Sequence, residues 1–154
     1  KVTEAIYEAG CSLGEASMIR LGGNFSMMMM VSGELTPEAL RGALSSVASE
    51  LDLRMHIDAM DGGLHQHLVP NVQVRVTGAD RAGIVADVTG ALASTGFNIL
   101  ELESDVAGDV LRPLYVMNIQ GYSDVTIEAL EEAVSGLRGA GIVVDISAVE
   151  TLIG

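Results

Sequence analysis

Val72, Val74 and Val76 alternate with Gln73, Arg75 and Thr77, the period of two that marks a half-buried strand. Gly78 is expected to break that strand. Behind it, Ile84, Val85, Val88, Leu92 and Thr95 recur at helical spacing and form one apolar stripe. Asp80 is placed to cap this helix, with Gly83 and Ile84 in its first turn. Gly96 ends it, being free to take positive φ. Phe97, Asn98 and Ile99 open the next strand, over 97–107, which returns over 111–121 around a Gly108-Asp109 turn. Thr126 caps a second helix with Ile127, Leu130, Val134 and Leu137 on one face, and 142–149 is the last strand. The order is βαββαβ.

The first part of the chain carries the same pattern. Val2 falls on Val88, Thr3 on Thr89, Ala5 on Ala91, Gly10 on Gly96, Glu15 on Glu101 and Gly22 on Gly108, always 86 residues apart. A spacing held over about twenty positions marks a duplicated unit. Residues 1–9 are a helix remnant with Val2, Ala5, Ile6 and Ala9 on one face. Residues 11–21 read as a strand, Gly22-Gly23-Asn24 as a hairpin turn and 25–32 as the return strand. Thr36-Pro37-Glu38 starts a helix with Leu40, Leu44, Val47, Ala48 and Leu51 in its stripe. Leu53, Met55, Ile57 and Ala59 then alternate with Arg54, His56 and Asp58, which predicts a strand. This unit is therefore αββαβ, the same order without its leading strand. Opening inside a helix with no initiator Met, the chain is expected to have a truncated start.

The predicted fold class is α+β: two tandem ferredoxin-like βαββαβ units, each an antiparallel sheet with helices on one face. The first unit spans 1–60 and the second 70–154. The polar, glycine-bearing stretch 61–69 is the linker.

Apolar residues make up 49% of the 154, enough for a core in each unit. No apolar run reaches membrane-spanning length. Cys11 is the single cysteine, so no internal disulfide can form and a cytoplasmic location is expected. The net charge is −13 and aromatics are 3%, which argues against direct nucleic-acid binding.

Few residues suggest chemistry. His65 and His67 lie in the linker without a third ligand nearby, and His56 sits on the polar face of a strand. Met27, Met28, Met29 and Met30 alternate across a strand, so at most two converge; core packing is the expected role. Cys11 follows a helix C-terminus, the wrong end to activate a thiol. The pairs Glu101/Glu103 and Glu131/Glu132 are solvated faces. No nucleotide, zinc or redox motif is present, and neither a metal nor a cofactor is expected. The loop Gly78-Ala79-Asp80-Arg81-Ala82-Gly83 leads from a strand edge into a helix N-terminus. Free N–H groups and the helix dipole there would suit a small carboxylate. Alternatively, its glycines only permit the turn and Asp80 is only a cap.

Asp80-Arg81-Ala82-Gly83-Ile84-Val85, Gly96-Phe97-Asn98-Ile99 and Pro113-Leu114-Tyr115-Val116-Met117 resemble an ACT domain, most closely those of the glycine cleavage system transcriptional repressor group. In the first unit the Gly10 region and Phe25-Ser26-Met27-Met28 echo it. Ala82 stands where the family usually has Pro. The resemblance implies a non-enzymatic regulatory protein that binds an amino acid between the first loop of one unit and the second strand of its neighbour. Carried onto this chain, Gly78, Ala79, Asp80, Arg81, Ala82, Gly83, Ile84 and Val85 would face Cys11, Ser12 and Leu13. A reverse site would use Asn98, Ile99 and Leu100. A homodimer and a protein partner such as a transcription regulator are implied, in the control of glycine or one-carbon metabolism. The alternatives are the regulatory segment of an enzyme and a pairing module without ligand.

Overall fold

In the computed structural model, which describes residues 1–60, 68–79, 83–109, 112–138 and 141–149, the chain divides into two units, Lys1–Leu64 and His65–Gly154. In chain order the elements are α1 (Val2–Glu8), β1 (Ser12–Leu21), β2 (Asn24–Ser32), α2 (Pro37–Glu50), β3 (Val72–Ala79), α3 (Ile84–Ala93), β4 (Asn98–Asp109), β5 (Arg112–Tyr122), α4 (Ile127–Arg138) and β6 (Ile142–Ala148).

The second unit is a four-stranded antiparallel sheet in the order β4-β5-β3-β6. β3 lies at its centre, paired with β5 and β6. Val72, Val74 and Val76 point into the core, where they meet Ile84, Val88 and Leu92 of α3, Met117 and Ile119 of β5, and Leu130 and Val134 of α4. The stripe of α3 is thus Ile84, Val88 and Leu92. Val85 lies off it and is exposed. Gly78 does not break β3. The strand runs on to Ala79, with Gly78 paired to both Tyr115 and Ile142. A Cβ at Gly78 would meet Gly141 O at 2.9 Å, so its bare backbone lets β6 approach. The β4–β5 ladder runs on through Gly108 and Asp109, which pair with Pro113 and Arg112, so the expected Gly108-Asp109 turn is instead part of the strand.

The first unit pairs β1 with β2 around Gly22 and Gly23, whose φ values of +56° and +84° are those of a two-residue type I′ turn. Ile6 of α1, Cys11, and Leu40, Leu44 and Val47 of α2 form its core. Leu51 is the C-cap of α2 and is exposed. Only part of the methionine run serves the core. Met29 packs on it, whereas Met28 is 79% exposed on the opposite face of β2.

Residues 53–59 are not a strand. They keep the alternation, with Leu53, Met55 and Ile57 half-buried and Arg54, His56 and Asp58 exposed, but no ladder joins them to β2. The cause is topological: β6 of the second unit pairs only with the central strand, and the described part of the first unit has no such strand.

Local devices recur in both units. After α3, Phe97 N donates to Leu92 O across Gly96 at φ +84°; after α1, Cys11 N donates to Ile6 O across Gly10 at φ +73°. Both satisfy a terminal helix carbonyl through a left-handed glycine. Both second strands carry a register shift, at Leu13/Ala16 and at Ile99/Glu101. Thr36 and Thr126 cap α2 and α4 by accepting from Ala39 N at 3.2 Å and Ala129 N at 3.3 Å.

The Thr126 cap is coupled to a charge. Glu128 accepts hydrogen bonds from its own backbone N–H and from the Thr126 hydroxyl, which hold its carboxyl below the ordinary value of 4.5. A carboxyl lowered on folding adds stability above its unfolded pKa, and that contribution is lost as pH falls through the folded pKa. Thr126→Ala should therefore do two things. It should lower stability by about 1 kcal/mol at neutral pH in urea unfolding, and it should move the NMR titration of Glu128 up toward 4.5. An unmoved titration would show that the hydroxyl does not hold this carboxylate.

Candidate functional site

The candidate loop begins where β3 ends and stops where α3 starts. Gly78 and Ala79 are still in the β3–β5 ladder. Asp80, Arg81 and Ala82 lie outside the described residues. Gly83, at φ +88°, is the N-cap of α3, and among the described residues no side chain makes a cap bond there. The expected cap by Asp80 lies outside the described residues; the helix starts at Ile84, with a left-handed glycine at its N-cap position. The first intrahelical bond is Asp87 N to Gly83 O at 2.9 Å. Helix starts leave their leading N–H groups without intrahelical partners. Threonines serve that need in α2 and α4; among the described residues α3 has no such cap. Its first turn thus suits a carboxylate ligand.

The remaining candidates separate by exposure. Ile84 is 2% exposed and belongs to the core, while Val85 is open to solvent. Cys11 is buried in the first unit's core, where its thiol donates a hydrogen bond to Ala9 O at 3.9 Å. Cys11 therefore offers no exposed thiol, whereas Ser12 and Leu13 are exposed at the start of β1. Asn98 is exposed at the start of β4, and Ile99 packs on the core. Leu100 has no partner in the register, because the bulge falls there, and it is exposed. Sequence reasoning missed this bulge. The one signal for it was the repeat itself, since Leu13 and Ile99 stand 86 residues apart and each precedes the shift.

The register fixes how far apart the two halves of the candidate site lie within one unit. Ile99 pairs with Gly121, which pairs with Val72; Val106 pairs with Tyr115, which pairs with Gly78. The loop and the Asn98 segment are thus six residues apart along β3, roughly 20 Å at a strand rise of about 3.3 Å. A single unit does not bring them together.

Other candidates are quickly placed. His56 Nε2 lies 3.0 Å from Asp58 Oδ1, with both side chains largely exposed. His65 and His67 lie outside the described residues. Among the described residues no group of three metal-ligating side chains occurs, and no helix is long and apolar enough to cross a membrane.

Comparisons with known proteins agree with this architecture. Residues 72–134 match a family model described as ACT domain, and residues 1–58 match a second model of that description. A crystal structure of an unknown protein from Galdieria sulphuraria aligns over 96% of this chain and 88% of its own, at 23% identity and a TM-score of 0.71. That of a candidate glycine cleavage system transcriptional repressor covers the same shares at 16% identity and a TM-score of 0.67. At these identities the likeness is one of fold. No curated protein matches the chain significantly.

The two loop glycines should fail for different reasons. Gly78→Ala forces a Cβ onto backbone atoms of Gly141 and Ile142 and should cost about 1–3 kcal/mol. Gly83→Ala meets no atom within 4 Å but keeps a left-handed φ, and should cost about 1–2 kcal/mol. Gly83→Asn should recover part of that loss, because asparagine tolerates this region, whereas Gly78→Asn should not. Urea unfolding of the four variants checks the pattern. Equal behaviour of the two asparagine variants would contradict it.

Proposed function

Since the chain belongs to the ACT-domain family and carries two such domains in tandem, we propose that it is a non-enzymatic regulatory protein that senses an amino acid. The amino acid binds at the 78–85 loop, completed by a second unit, and biases how units or a partner protein associate. The observation that carries this reading is the separation of the two half-sites. Gly78 and Asn98 stand at opposite ends of one sheet, so each half needs the complementary half of another unit. A ligand held that way is linked to association, since whatever binds only the paired state favours pairing.

Physical chemistry supports the ligand class. The α3 N-terminus, without a side-chain cap among the described residues, offers N–H groups to a carboxylate. The amide oxygen of exposed Asn98 and the strand carbonyls beside it can accept from an ammonium. Pairing into a homodimer is the assembly we favour. If transcription is the output, a protein partner conveys it, because a net charge of −13 repels DNA phosphates. The fold-level neighbour described as a candidate glycine cleavage system repressor makes glycine and serine the first ligands to try, within glycine and one-carbon metabolism.

A thermal-shift screen of the chain against the twenty amino acids tests the proposal. A ligand at 100 times its Kd should stabilise the protein by about 2.7 kcal/mol. The shift should be selective and should disappear in Asp80→Ala, with the folding of the free variant unchanged apart from a small loss. No shift for any amino acid at millimolar concentration would overturn amino-acid sensing.

A further inference from the structure

Each hairpin has a face turned away from its unit's core, and the two faces differ in chemistry. In the first unit Met29 packs on the core, so Met28 and Met30 of β2 point to the other side. The register adds residues of β1 to that side: Met28 pairs with Ser17, Ile19 with Ser26 and Leu21 with Asn24. Met30 lies across from the bulge that holds Gly14 and Glu15. Ile19, Leu21, Met28 and Met30 are all exposed.

The second unit shows what the other copy of the duplication carries at these positions. The 86-residue offset sets Ile19 on Asp105 and Leu21 on Ala107. The cap threonines Thr36 and Thr126 stand 90 residues apart, which sets Met28 on Asn118 and Met30 on Gln120. The ladders agree, since Glu103 pairs with Asn118 as Ser17 pairs with Met28, and Asp105 pairs with Val116 as Ile19 pairs with Ser26. One hairpin thus turns carboxylates and amides outward where the other turns large apolar side chains. A strand at the side of the hairpin does not cover this face. In the second unit β3 flanks β5, and Glu101, Glu103 and Asp105 stay exposed.

Charge selects the occupant. The chain carries −13, yet residues 11–32 hold one acid, Glu15, and one base, Arg20. Two copies that meet through this hairpin therefore meet at no net charge, whereas most other approaches set acidic surfaces against each other. The apolar side chains are bordered by Ser17, Asn24 and Ser26, an apolar centre with polar neighbours as in protein interfaces. A patch that meets its own copy across a two-fold axis closes at two chains.

We infer that a second copy of this chain docks on the outer face of the β1–β2 hairpin. The two hairpins pack sheet on sheet, about 10 Å apart, with Ile19, Leu21, Met28 and Met30 of each copy between them. β1 is 10 residues long, so the face measures roughly 33 Å by 10 Å. Two copies bury on the order of 700 Å², below the roughly 1,200 Å² at which stable complexes begin, so the pair is weak and reversible. The face belongs to a different unit from the 78–85 loop, and the inference does not depend on amino-acid sensing.

A dilution series of the chain with 13C-labelled methionine methyl groups tests it. Light scattering should show the mass rise from one chain to two between about 10 μM and 1 mM. The methyl resonances of Met28 and Met30 should move along the same curve, while that of buried Met117 stays fixed. Ile19→Asp with Met28→Asn gives the hairpin the residues of the second unit at those positions. This variant should keep its melting temperature and shift the midpoint tenfold or more to higher concentration. A monomer at every concentration overturns the inference and leaves the face to another protein. A dimer whose Met28 and Met30 methyls do not move overturns it as well, since the copies would then join elsewhere, and that reading needs no variant.

Discussion

A strand hydrogen-bonded along both edges is the constraint on which this architecture turns. β3 spends its N–H and C=O groups on β5 and β6 and sends three valines into the core at successive inward positions. Burying each valine contributes on the order of 1.5–3 kcal/mol relative to exposure. The ladder also fixes the register, because a slip of one residue would turn the valines to solvent and Gln73, Arg75 and Thr77 inward. The close approach at Gly78 follows from the same ladder, as the strand still has β6 beside it at that point. The first unit is the control for this argument. It keeps helices, hairpin and cap, and without a described central strand its last segment lies extended but unpaired.

Duplication explains why the two units agree in detail where their sequences have drifted. The left-handed glycine after the first helix, the bulge in the following strand and the threonine cap of the second helix all recur. Each is a local solution to a backbone problem. A glycine accepts positive φ, a bulge absorbs one residue, and a hydroxyl satisfies an orphan N–H. Side chains around them differ more freely: Cys11 replaces Phe97, and Leu44 stands where the second unit has Val134.

That division between local and non-local causes also sets what the sequence shows. The stripe of α3, the Gly22-Gly23 turn and the Thr36 and Thr126 caps depend on near neighbours and are legible directly. The duplication is legible through its 86-residue offset. Two readings missed for non-local reasons. Gly78 resembles a strand breaker until Gly141 is seen beside it. Residues 53–59 have the pattern of a strand, and pattern alone cannot supply a ladder partner. Of the candidate site, the exposed positions Ser12, Leu13, Val85, Asn98 and Leu100 remain open to a ligand, while burial removes the side chains of Cys11 and Ile84.

Under the proposed function, the geometry of the half-sites ties sensing to assembly. A pocket built within one unit could fill without changing what that unit touches. Here the loop at one end of the sheet and the Asn98 segment at the other are held apart by the full length of β3, which the core makes rigid. A small ligand spans a few ångströms, not the length of a strand. It can join these elements only if they come from different units, so its binding free energy enters the pairing equilibrium directly. A net charge of −13 opposes self-association, and this leaves the equilibrium more easily shifted by such a contribution. On this reading the acidic surface and the divided site act together: one keeps pairing weak, and the other lets an amino acid decide it.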